Sequence, residues 1–188
     1  MKISQKARAA TIGVIATILL AGCAAGPSST PDSSENAPTE APVSQTKPEP
    51  RNVRAVEVID PMTVVVTPLD ESDELFGTEF SVHVQDFVAP SEGDCGYEEA
   101  LAVAKDAAVG PIWSLTYPDA VDDNVWIASD GDHFGWLNSN GNTYGQELVV
   151  AGMAFEPAGA DPSYLANPQR EAQNAGTGLW TSCPDFGA

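Results

Sequence analysis

Basic side chains are scarce: 8 Lys and Arg stand against 27 Asp and Glu in 188 residues, a formal charge of −19. Sequence-independent nucleic-acid binding draws most of its affinity from Lys and Arg that neutralise phosphates, so a basic DNA- or RNA-coating protein is excluded. The shortage is sharper than the total suggests. Lys2, Lys6 and Arg8 precede every acidic residue, and beyond residue 22 only 5 basic side chains face 27 acidic ones. From residue 55 to the end the balance is 2 against 23. Histidine is nearly absent too, with His83 and His133 as the 2 copies. Neither has another His or a Cys at ligand spacing, which argues against zinc. No apolar run reaches the roughly 20 residues a spanning helix needs. The length allows one ordinary globular domain plus extras.

What is present at the N-terminus is a basic segment followed by an apolar run, Ala9 to Ala21, the pattern of an export signal. It ends in Leu20-Ala21-Gly22-Cys23, which resembles a bacterial lipobox. That resemblance implies a signal peptide over residues 1–22 and a mature chain starting at a lipidated Cys23. More than one acyl chain suffices for stable anchoring, so the expected location is the outer face of the cell membrane, held by lipid. The alternative is an ordinary signal peptide with Cys23 incidental.

Residues 23–52 are rich in Pro, Ser, Thr, Ala and Glu, with Pro27, Pro31, Pro38, Pro42, Pro48 and Pro50 and Val43 as the one large apolar residue before the domain. Such a segment cannot bury enough surface to fold. Its prolines favour extended conformers of about 3 Å per residue, those of a stalk.

The folded domain is expected over residues 53–188. Val53–Ile59 and Thr63–Thr67 are β-branched runs separated by Asp60-Pro61-Met62 and read as a hairpin. Phe80 to Val88 alternates with period two until Ala89-Pro90. Tyr97–Val109 changes to helical spacing through Leu101, Val103, Ala104 and Ala108, with Glu98 and Glu99 in the first turn, where the helix dipole favours negative charge. Further strands are expected at Ile112–Tyr117, Val125–Ala128 and Phe134–Leu137, and helices at Thr143–Ala151 and Asn167–Asn174.

These residues resemble the thermonuclease family, the staphylococcal-nuclease-like OB-fold domain. Val58-Ile59-Asp60-Pro61-Met62-Thr63 is similar to its hairpin motif V-I-D-G-D-T. Val82 to Pro90 is similar to its R-L-x-x-I-D-x-P strand, and Glu147 through Ala154 to its N-E-x-L-V-x-x-G-x-A helix. Gly178-Leu179-Trp180 is similar to its closing G-L-W. The resemblance spans about Val53 to Trp180 and implies a mostly β domain with α, a five-stranded OB-fold barrel carrying about three helices.

Family members hydrolyse phosphodiesters with calcium between aspartates, a glutamate beside the attacking water and two arginines on the phosphate. Calcium needs oxygen ligands, water needs a base, and charge on the transition state needs fixed donors such as Arg. Aligned on the motifs, the second hairpin aspartate falls on Met62, the strand arginine on His83, the strand aspartate on Val88 and the glutamate on Ser91. The second arginine falls in an ambiguous stretch near Asp132 to Trp136, and Trp136 in its place would make the cleft a neutral pocket. No arginine occurs between Arg54 and Arg170. A catalytically degenerate member is therefore expected, without catalytic residues and without a required cofactor. Asp60, Asp86 and Glu92, with Asp94 nearby, are the weak candidates for a rebuilt calcium site; the alternative is that Asp60 caps its turn and the others are solvated charges.

With Cys23 assigned to lipid, Cys95 and Cys183 form an even pair in an exported protein, which ordinarily oxidises. The resemblance implies the same pairing, since related exported domains carry cysteines after the active-site loop and beyond G-L-W. A catalytic thiol is the alternative, with no adjacent basic residue to depress its pKa. Trp113, Trp126, Trp136 and Trp180 read as core or rim packing. The expected function is a non-enzymatic binding or structural module at the envelope, with an unidentified protein, glycan or cationic partner; the alternative is an extracellular calcium-dependent nuclease or phosphodiesterase with relocated residues.

Overall fold

The computed structural model describes residues 46–119, 125–160 and 164–188. Cys23, the expected signal peptide and most of the expected stalk lie outside them. Among the described residues six strands and four helices follow in chain order. They are β1 (Arg51–Asp60), β2 (Thr63–Pro68), β3 (Phe80–Val84), α1 (Tyr97–Ala108), β4 (Ile112–Thr116) and β5 (His133–Ser139), then β6 (Asn142–Thr143), α2 (Tyr144–Val150), α3 (Ala166–Ala175) and α4 (Leu179–Ser182). Among the described residues no helix is long and apolar enough to cross a membrane.

The strands run β3-β2-β1-β4-β5, and a parallel β3–β5 pairing joins the two ends. The result is a closed five-stranded barrel, mostly antiparallel, of OB-like architecture. Closure removes the free edges that a five-stranded sheet would expose. Val53, Val58, Val64, Val66, Val82, Val84, Leu115 and Leu137 point inward and are buried. Closure also requires β1 to bend. It carries two irregularities against β2, between Ala55 and Glu57 and between Val58 and Asp60. The first is a bulge at Val56 that shifts the inward positions from odd to even numbers and leaves Val56 47 % exposed.

Helix α1 packs on β1 and α2. Ala100, Ala104 and Ala108, spaced by four, form its buried face, and their short side chains let the helix axis approach closely. Trp113 Nε1 donates to the Ala108 carbonyl at 3.0 Å, tying β4 to the end of α1. Buried Tyr144 at the start of α2 donates to the Pro61 carbonyl at 3.1 Å and so holds the β1–β2 turn. Thr143 caps α2 by accepting from the Gln146 N–H at 3.0 Å.

Two sequence expectations need correction. The strand from Phe80 ends at Val84 instead of Val88, because Asp86 adopts φ 110° and breaks the extended backbone. Val125–Ala128 is not a strand among the described residues; only Ile127 makes an isolated bridge, to His133. G-L-W opens the short helix α4, which stands beside the three longer helices among the described residues. The disulfide Cys95–Cys183 is formed, with its Cα atoms 5.8 Å apart, and joins α4 to the loop before α1.

Candidate functional site

The positions aligned with the nuclease centre are spread over the β1–β2 turn, β3 and the loop after it. Asp60 Oδ1 accepts from the Met62 N–H at 2.7 Å, so Asp60 caps its turn, while the Met62 side chain packs partly buried against the core. His83 sits opposite Thr63, with Nδ1 3.3 Å from Thr63 Oγ1. Val88 is held by reciprocal backbone bonds to Phe155, at 2.8 and 2.9 Å. Exposed Ser91 gives its N–H to Asp94 Oδ2 at 2.9 Å. Trp136 is half-buried in β5, opposite Thr116 of β4.

The three candidate calcium ligands part company. Burial, with the negative charges of Glu92, Asp60 and Glu98, raises the Tyr97 pKa. Asp86 instead accepts from the Tyr164 hydroxyl. Its other oxygen, Oδ1, is buried without a hydrogen-bond partner among the described residues and presses against Gly145, where a Cβ would come within 2.6 Å of it. Burial outweighs the hydrogen bonds from Tyr164 and Thr143 and pushes the Asp86 pKa up to about 6. Among the described residues no group of three His, Cys, Asp or Glu side chains is placed to hold a metal ion.

A different cluster gathers beside a cavity of about 780 Å³ lined by residues before β1, the β2–β3 loop, the start of β3 and the segment leading into β5. His133, only 3 % exposed, lines it. Its ring lies on Phe80 at a centroid distance of 4.2 Å, and its Nδ1 is 2.8 Å from the Tyr117 hydroxyl. Arg51 Nη1 donates to Asp73 Oδ1 at 3.1 Å, with both side chains largely buried, and its guanidinium carbon lies 5.9 Å from the Phe80 ring centre. Burial, reinforced by the Arg51 charge, lowers the His133 pKa to about 4, so the imidazole is neutral at pH 7. Burial pushes the Tyr117 pKa up to about 12, against the opposing pull of Arg51. The phenol therefore keeps its proton.

Sequence reasoning treated His133 as one of two isolated histidines and Arg51 as the end of the stalk. β1 starts at Arg51, not Val53, and that start brings the guanidinium to the cavity floor. No local motif joins Arg51, Asp73, Tyr117 and His133; barrel closure alone assembles them. The signal in the sequence is an arginine just ahead of a β-branched run, with Arg54 three residues on, in a chain with few cations.

Fold and site together define a small, acidic, disulfide-linked OB-like barrel with a cavity floored by a neutral histidine and a paired arginine. Compared with known proteins, the chain matches no family model and no curated protein.

Proposed function

We propose that this protein is an exported lipoprotein, anchored to the outer face of the membrane through Cys23, whose barrel is a catalytically degenerate relative of the thermonuclease domain and acts as a non-enzymatic binding or structural module. The observation that carries this reading is the chemistry of the side chains at the positions aligned with the nuclease centre. Of the described cations, Arg51 is paired with Asp73 and Lys47 with Asp119, while Arg54 is exposed on β1 and Lys105 is on the last turn of α1. Met62, His83, Val88 and Ser91 supply neither carboxylate nor guanidinium. With 23 acidic against 2 basic residues from position 55 onward, a polyanion would be repelled over a Debye length of about 8 to 10 Å. Membrane attachment through lipid is part of the same reading, with nucleic acid disfavoured as a partner and no calcium required.

The test is a calcium titration of the purified full chain, following heat and cleavage of single-stranded DNA in one buffer. The expected outcome is neither calcium heat nor cleavage. Calcium-dependent cleavage that disappears in Asp60→Ala would overturn the reading in favour of a nuclease with relocated residues.

A further inference from the structure

The cavity beside His133 is electrically lopsided. Glu49, Glu74, Glu79, Asp130 and Asp132 contribute to its lining, against the single cation Arg51, whose charge Asp73 already balances. Carboxylates on a surface are ordinarily just solvated. Here they surround a floor with an unused polar group. His133 Nδ1 faces Tyr117, which is not part of the lining, and the ring's second nitrogen, Nε2, has no hydrogen bond among the described residues. Arg51 Nε is likewise buried without a partner among them. The phenol proton has no other acceptor among the described residues, so Tyr117 donates to Nδ1 and Nε2 is the ring nitrogen that carries the hydrogen. Phe80, Leu75 and Ile127 add apolar wall. The volume is in the range of small-molecule sites, with charged groups set against this apolar wall.

We propose that this cavity binds a small organic cation that also carries an acceptor oxygen, the combination found in a lysine or arginine unit with its amide carbonyl. The cationic end faces the rim carboxylates, the aliphatic stem lies on Phe80 and Leu75, and the carbonyl accepts from His133 Nε2. A simple inorganic cation would leave the Nε2 donor and the apolar wall unused, and an anion would meet five carboxylates. The assignment is independent of the non-enzymatic reading above, because it concerns the opening beside β5 and not the positions of Met62, His83, Val88 and Ser91.

The experiment uses the full chain and three probes: Nα-acetyl-lysine N-methylamide, its norleucine counterpart, which keeps the carbonyls and lacks the charge, and 1-aminopentane, which keeps the charge and lacks the carbonyls. Calorimetric titration at low salt is expected to show the lysine probe binding at least tenfold more tightly than either of the others. Raising the salt from 20 to 300 mM should weaken it severalfold. The pair Glu79→Gln and Asp132→Asn, at an exposed and a half-buried position, should cost about tenfold without disturbing the fold. Because a His133 substitution could unfold the barrel, the histidine is read in the wild type by the nitrogen-15 shift of Nε2, which should move on saturation with the lysine probe. A short tri-lysine peptide distinguishes a free ligand from a peptide-borne one by binding more weakly or more tightly than the single unit. Equal binding of lysine and norleucine probes, indifference to the Glu79 and Asp132 changes, or an unmoved Nε2 signal would each overturn the proposal. Absence of DNA cleavage would leave it unaffected.

Discussion

Tyr117 and His133 illustrate how a buried polar pair is stable only as a pair. The hydroxyl and Nδ1 are 2.8 Å apart in a largely apolar setting. Removing one partner leaves the other desolvated and unsatisfied, which costs about 1–3 kcal/mol, whereas replacing both by apolar groups can be nearly neutral. Tyr117→Phe is therefore expected to lower stability by about 1–3 kcal/mol. The double change with His133→Leu should cost less than the sum of the single changes. A double-mutant cycle from urea unfolding checks this, and additivity within about 0.5 kcal/mol would rule out the coupling. None of this was legible in the sequence, where a single His in an aromatic-rich segment reads equally as packing or as chemistry. The turn cap at Asp60 was legible, because Asp before Pro in a tight turn has a local hydrogen-bond rationale. A residue's role could be read where its partner is two positions away and not where its partner is on another strand.

Among the elements, the hairpin, α1, α2 and α3 were visible because each has its own period or cap. The end of β3 and the bulge in β1 were not, since both follow from closing the barrel and leave the local pattern unchanged. The C-terminal elements show what the G-L-W resemblance means physically. Leu179 N–H donates to the Gly152 carbonyl at 3.0 Å, and a Cβ on Gly178 would lie 2.6 Å from the Ala151 carbonyl oxygen and 2.7 Å from that of Gly152. Gly178 also has φ 58°, ψ −129°, a conformation that penalises any side chain. Gly178→Ala is expected to destabilise the domain by more than about 2 kcal/mol, since backbone and not a movable side chain blocks the added carbon; an unchanged urea midpoint would refute the close approach. The disulfide reinforces the same junction. Its 88-residue separation corresponds to about 4.6 kcal/mol in the chain-entropy model. The Cys95→Ser, Cys183→Ser protein should unfold at correspondingly lower urea, and α4 should become the first site of limited proteolysis. Loss of stability without release of α4 would place the effect in the unfolded chain alone.

For the whole molecule, acidity suggests a protein that simply gains stability as pH falls and its carboxylates discharge, but two buried groups pull in opposite directions. Asp86, facing Tyr164 and Thr143, has its pKa raised from 3.8 to about 6. Between those values the folded state holds a proton that the unfolded chain has released, so this term stabilises at low pH and is lost as pH rises through 6. His133, facing Tyr117, Arg51, Asp73 and Asp132, has its pKa lowered from 6.5 to about 4. There the unfolded chain binds the proton that the folded state refuses, so this term is complete above 6.5 and is lost as pH falls toward 4. Each is worth up to about 3 kcal/mol across its window, and over the shared interval from 4 to 6 they nearly cancel. What remains in the wild type is the gentle decline with rising pH caused by mutual repulsion among its many carboxylates. Substituting one group should expose the other. In Asp86→Asn, a change that the φ of 110° tolerates because Asn accepts positive φ more readily than other side chains, stability relative to wild type should climb by up to about 3 kcal/mol from pH 4 to 6.5. In His133→Gln, whose amide can still meet the Tyr117 hydroxyl, it should fall over the same range. Urea unfolding at pH 4, 5, 6 and 7 on the three proteins gives the slopes directly. Parallel curves would mean that neither group differs in proton affinity between the folded and unfolded states, and that the acid response belongs to the surface charges alone.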